Sequence, residues 1–279
     1  GSFESFQTTP LSQGIGTHYA TVWVGTPSQP QTVIVDTGSH LTAFPCVPCN
    51  NCGEGYHSSG YFNPKMSSTF EWNTCAQCSK SASCSRDQCQ LRQSYAEGSS
   101  WSAVEGRDLF LVGFNHPSEI SVGTQGYDES KLDKEFGIHF TFGCQNHLTG
   151  LFIKQLADGI MGMGVSDAIL PVQMKKQGIL EHSIFSMCFA RNARHEKDGI
   201  TAGILTLGGV NPVLQKSPMV YAKMGENGTG WYNLSTKKIL LRKGGGTSAK
   251  EPLLDRKKNL FLVSDDIHLL NAGSGLFVD

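Results

Sequence analysis

A chain of 279 residues can bury a sizeable core, as one large or two medium domains. With 23 Lys and Arg against 24 Asp and Glu it has no strong field of one sign, which argues against nucleic acid or an acidic membrane as partner. The 32 glycines, set among recurring short apolar stretches, favour an all-β fold with many turns.

In chain order, His18 to Gly25 predicts an apolar strand, Gly25 to Pro30 a turn, and Gln31 to Val35 a second strand running into Asp36-Thr37-Gly38. Residues 46–89 are rich in Ser, Asn and Gly with little apolar period, and read as an insertion stapled by its own cysteines. Leu91 to Ser100 and Leu109 to Phe114 predict another hairpin, followed by a charged, solvated stretch from Ser118 to Lys134. Ile138 to Cys144 reads as a strand, and Ala157 to Gly164 packs apolar residues between glycines. Leu170 to Gln177 suits a short helix with Pro171 in its first turn and Gly178 ending it. Further strands are expected at Ile184 to Ala190, Ile200 to Leu207, Lys238 to Leu241 and Leu260 to Val263, with a charged, Gly-rich loop between the last two. Trp23, Phe110 and Phe142 are expected in the core.

The candidate chemistry lies in Val33-Ile34-Val35-Asp36-Thr37-Gly38-Ser39. An acid directly after three β-branched residues sits at the end of a buried strand, where an unpaired charge is costly. Glycine two positions later permits a sharp turn back toward the carboxylate. Thr37 offers a hydroxyl to fix that turn, and Ser39 one within reach of the acid. Taken alone, the tripeptide is equally an ordinary turn at a strand end.

Four ordered segments extend the reading: Asp36-Thr37-Gly38-Ser39, Ser94-Tyr95-Ala96-Glu97-Gly98-Ser99, Ile160-Met161-Gly162, and Phe185 to Cys188 followed by Gly203 to Gly209. Together they resemble the pepsin family of aspartic proteases. Phe44-Pro45-Cys46 and the cysteine-rich insertion look most like its plasmepsin V and nepenthesin branch. The resemblance implies an all-β, two-lobed pepsin-like fold. Residues 1–188 form the catalytic lobe, with the flap near 91–103, and residues 189–279 begin a second lobe that is incomplete. It implies catalysis by Asp36, with Thr37, Gly38, Ser39, Tyr95, Glu97 and Gly98 lining the substrate cleft. Tyr95 would pack on bound peptide, and Glu97 would favour a basic residue in one subsite. Ala103 stands where the family often has glycine at the flap base.

The family's second acid follows glycines and an apolar run, as Asp279 does in Gly273-Ser274-Gly275-Leu276-Phe277-Val278-Asp279. The resemblance therefore assigns Asp279 as second catalytic residue over its rival, Ser264-Asp265-Asp266, and implies that the 279 residues are part of a longer protein and inactive alone. The implied function is endopeptidase cleavage of polypeptides by an activated water, as a monomer with no metal or organic cofactor. A catalytically silent pepsin-fold binding or inhibitor protein is the alternative.

Seven of the nine cysteines lie between Cys46 and Cys89. Cys46-x2-Cys49-x2-Cys52 and Cys75-x2-Cys78 have spacing that suits a zinc-stapled interaction module as well as disulfides; the resemblance implies disulfides. That density, with sequons at Asn227 and Asn233, points to the secretory pathway. Membrane attachment would come only from sequence beyond this chain. The odd count leaves one cysteine over.

Overall fold

The computed structural model describes residues 6–112, 137–190, 199–215, 218–224, 230–234, 240–242, 260–262 and 276–277. They fall into two compact units, Gly1–Pro218 and Met219–Asp279. The boundary placed at 188/189 lies inside a hairpin of the first unit.

That unit is a twelve-stranded sheet. Its strands are β1 (Gln7–Gln13), β2 (His18–Val24), β3 (Gln29–Asp36), β4 (Thr42–Pro45), β5 (Glu71–Trp72), β6 (Ser83–Ser85), β7 (Gln88–Ser94), β8 (Ser100–Val112), β9 (Ile138–Leu148), β10 (Gly159–Gly162), β11 (Phe185–Phe189) and β12 (Thr201–Leu207). Strands β2, β3, β10, β4, β9 and β8 pair in that order, and β8 pairs back to β2, so six strands close into a barrel. Closure encloses one face of each of the six strands. Their apolar residues therefore turn inward around Val22, Val33, Phe44, Phe110, Phe140 and Met161, each at most 2% exposed. Phe44 stacks on Phe142 with ring centres 4.6 Å apart, and Phe62 meets Phe142 edge-on at 5.7 Å. Trp23, Phe110 and Phe142 are all buried.

Two helices are short: α1 (Leu151–Lys154) and α2 (Leu170–Lys176). Pro171 opens α2, and Gly178, at φ +81°, lets the chain reverse after it.

Three expectations change. The strand read across Leu91 to Ser100 is broken at its end. β7 stops at Ser94, a turn spans residues 95–99, and β8 begins at Ser100 rather than Leu109. Gly98 at φ +95° makes the turn, and it is closed by Tyr95 N donating to Ser99 O and Gly98 N donating to Tyr95 O. The chain-order reading begins at His18 and names no strand before it, yet β1, which lacks apolar alternation and contains Pro10, is one. It forms because Gln7 to Ser12 pair along β12, while only Ser12 and Gln13 also meet β2. Pro10 thus falls where β1 has a single neighbour. Finally, the insertion is not stapled by its own cysteines alone, because Cys46 is bonded to Cys144 of β9.

In the second unit, β13 (Asn233–Leu234) pairs antiparallel with β16 (Leu276–Phe277), and β14 (Leu240–Arg242) with β15 (Leu260–Leu262). The last pair occupies the segments expected at 238–241 and 260–263. Asn233 is 3% exposed, which disfavours it as a glycan acceptor. The Asn227 sequon, the stretch from Ser118 to Lys134 and the loop from Lys243 to Lys258 lie outside the described residues.

Candidate active-site loop and flap

Asp36 is the last residue of β3, and β10 runs parallel beside it with Gly162 opposite the acid. The chain after Asp36 must cross over β10 before entering β4, and glycines give it room. A Cβ on Gly162 would lie 2.5 Å from Leu41 N, and one on Gly159 only 2.1 Å from Ala43 O. Three backbone bonds then pin the crossing: Met163 N to Asp36 O at 2.7 Å, Gly164 N to Ser39 O at 2.8 Å, and Gly162 N to Leu41 O at 3.0 Å. This is the packing reason for the glycine-spaced run after Asp158.

The turn presents donors to both carboxylate oxygens of Asp36. Gly38 N donates to Oδ1 at 2.9 Å, and the Ser39 hydroxyl donates to Oδ2. Together they fix the plane of the acid, which is half-buried; Thr37 and Ser39 are buried beside it. Asp36, Thr37, Gly38 and Ser39 are thus gathered as the sequence suggested.

Tyr95 begins the turn between β7 and β8. Its hydroxyl accepts a hydrogen bond from the indole Nε1–H of Trp101 at 3.3 Å, and its ring lies 5.2 Å from that of Phe152. Burial pushes the phenol up to about 12, and the negative charges of Asp36 and Glu97 add to that, while hydrogen bonding to Trp101 and Ser39 pulls the other way. The hydroxyl therefore lies close enough to sense both Ser39 and Asp36. Glu97 and Gly98 sit at the exposed tip of the hairpin, with Glu97 also close enough to act on Tyr95. Asp279 and its rival, residues 264–266, lie outside the described residues.

Sequence reasoning missed two groups here. Trp101, 1% exposed, anchors Tyr95 from β8; an aromatic in a strand reads as core, and only its indole donor signals more. Asp158, 2% exposed, accepts from Thr32 N at 2.6 Å and Ser59 N at 2.9 Å, tying the insertion to β3 just before the crossing.

The zinc-like cysteine spacing resolves as disulfides: Cys49–Cys52, Cys75–Cys84 and Cys78–Cys89, besides Cys46–Cys144. The sulfurs of Cys78 and Cys89 and a carboxylate oxygen of Glu105 lie within 4.8 Å of one another, but the bonded sulfurs leave no thiolate to hold a metal. Cys188 is the leftover cysteine, exposed on β11.

A closed barrel whose parallel strand pair carries an acid into a hydroxyl-bearing turn defines the pepsin-like class of fold. Residues 18–209 match the family model described as xylanase inhibitor N-terminal, and the chain belongs to that family, the N-terminal domain of pepsin-like aspartic proteases. It is 29% identical over 223 residues to aspartic protease 5 of Toxoplasma gondii, covering 72% of this chain and 20% of that protein. It is 28% identical over 220 residues to aspartic proteinase nepenthesin-1 of Nepenthes gracilis, covering 76% and 44%. With plasmepsin V of Plasmodium falciparum it shares 28% over 150 residues, covering 53% and 23%. The chain thus spans less than half the length of these relatives.

Proposed function

We propose that the chain supplies the first catalytic half of an aspartic endopeptidase, in which Asp36 and Asp279 share a proton across one water. Two carboxylates so close cannot both ionise readily, as in pepsin. One stays protonated and donates to the scissile carbonyl while the other takes a proton from the attacking water, so no covalent intermediate forms. The protons belong to the pair. Tyr95 closes over bound peptide, with Thr37, Gly38, Ser39 and Gly98 lining the cleft, and Glu97 favours a basic side chain in one subsite. The whole protein acts as a monomer on polypeptides.

One observation carries this reading: Asp36 is held at both oxygens by Gly38 N and the Ser39 hydroxyl, with Tyr95 within electrostatic reach. The four disulfides support assembly in the oxidising secretory pathway.

The test is hydrolysis of a denatured polypeptide by the full-length protein at acid pH, with and without pepstatin. Pepstatin-sensitive turnover is expected; no turnover across acid and neutral pH would sink the proposal. The second reading, a non-catalytic binding or inhibitor protein, is favoured by the family model's own description. Tight inhibition of a glycoside hydrolase without any peptidase activity would establish it instead.

A further inference from the structure

The hairpin that carries Tyr95 has two unlike arms. Leu91 to Ser94 of β7 pair only with β8 among the described residues, because the pairing of β6 ends at Gln90. The other arm is the start of β8, whose ladder to β9 reaches as far as Trp101 opposite Leu148. Beyond that point Ser99 and Ser100 are tied to the corner where β9 gives way to α1.

That corner is shaped for the contact. Thr149 N donates to Ser100 O at 2.9 Å, as a strand residue would. The return bond goes to a side chain: Ser100 N donates to the Thr149 hydroxyl at 2.9 Å, which stands in for a ladder carbonyl while the chain turns away into α1. The hydroxyls of Ser100 and Thr149 lie 2.9 Å apart, and Thr149 Oγ1 also reaches Ser100 O at 3.2 Å. Gly150 follows at φ +63°, where a Cβ would clash with the Ser99 side chain, so glycine lets the two pieces of chain pass. Leu151 N then donates to Ser99 Oγ at 2.9 Å, and Ser99 is 2% exposed. The moored arm and the corner together hold Tyr95. Ser99 O accepts from Tyr95 N, Trp101 Nε1–H donates to the Tyr95 hydroxyl, and Phe152 of α1 packs on its ring.

We infer that Thr149 is a positioning residue: with Gly150 and Ser99 it clamps one arm of the hairpin and so presets Tyr95 for bound peptide. The inference rests on the protease reading, in which Tyr95 closes over substrate. An arm already fixed has less freedom to lose when peptide binds. A loosened arm lowers the fraction of molecules ready to bind it. The clamp therefore acts on KM rather than on the chemical step.

Thr149→Val in the full-length protein keeps the shape of the side chain and removes its hydroxyl. Amide hydrogen exchange should quicken by roughly tenfold at Ser100, which loses its acceptor. It should quicken by about threefold or more at Tyr95, whose amide is bonded to Ser99 and not to Thr149. KM for a peptide substrate should rise about fivefold, with kcat within about twofold of wild type. Thr149→Ser should restore all three. Ser99→Ala deletes the bond from Leu151 N and should quicken exchange at Tyr95 in the same way; it decides the matter if Thr149→Val does not fold. Wild-type exchange at Tyr95 in the variant that folds, a fall in kcat with KM unchanged, or equal damage in Thr149→Ser overturns the inference. Exchange needs no turnover, so an absence of peptidase activity would remove the protease reading while exchange alone still judges the clamp.

Discussion

Residues 36–45 are held by strand neighbours on either side, whereas residues 46–89 are held chiefly by sulfur and by buried carboxylates. The first stretch runs from β3 into β4, with β10 bonded to both strands and β9 beyond β4. It needs glycine, because backbone passes over backbone. The insertion has two-residue and three-residue strands and two single-turn 3-10 helices. Besides its disulfides, it docks on three acids of the barrel: Ser59 N on Asp158, the Thr69 hydroxyl on Asp108 at 2.6 Å, and Ser79 N on Glu105. All three acids are at most 2% exposed. Sheet pairing positions a reactive group to fractions of an ångström, while cross-links and buried acceptors suffice to hold a cover in place.

The largest effect expected from breaking this contrast is chemical. Asp36→Asn in the full-length protein should lower peptide hydrolysis by about 10²–10⁴-fold, with the thermal unfolding midpoint close to wild type. Turnover at the wild-type rate would remove Asp36 from the chemistry.

The next effects concern stability. Cys46–Cys144 spans 98 residues and Cys49–Cys52 only 3. Because loop closure grows with the logarithm of length, alanine at both members of the first pair should cost roughly 3 kcal/mol more than at the second. Urea unfolding of the two double variants measures the difference, and equal losses would mean that the insertion is not cross-linked to the barrel in the way described.

Gly162→Ala should destabilise by about 1–3 kcal/mol through its clash with the Leu41 backbone. Gly55→Ala in the insertion, where nothing lies within 4 Å, should stay within about 0.5 kcal/mol of wild type. Similar losses at both sites would erase the distinction between the two regions.

Smaller still is a pH effect at the flap. Tyr95 is raised to about 12 in the fold, against about 10 unfolded, so the unfolded chain ionises first. Its contribution is complete below about pH 10 and is lost as pH climbs toward about 12. Tyr95→Phe should therefore lose less stability than wild type across that interval in denaturant titrations; an unchanged pH profile would mean the phenol is not held as described. Glu97→Ala should cost a few-fold in kcat/KM for peptides with a basic residue in the favoured subsite and leave neutral peptides unchanged. Equal losses on both peptides would dismiss Glu97 as a specificity residue.

Local pattern alone determined the barrel hairpin ending on Asp36, the Gly-spaced run at 157–164, the helix opened by Pro171 and the hydroxyl beside the acid. Each is written within a few consecutive residues, where side-chain period, glycine and proline act directly on the backbone. Contacts distant in sequence decided the rest. β1 is a strand only because β12 lies alongside it, and Cys46 chooses Cys144 only once β4 and β9 are parallel neighbours. Asp158, Asp108 and Glu105 find donors in the insertion only because the folded barrel brings together residues that lie 26 to 99 positions apart in sequence. Such pairings arise from the burial of the whole core, a property no short window of sequence contains.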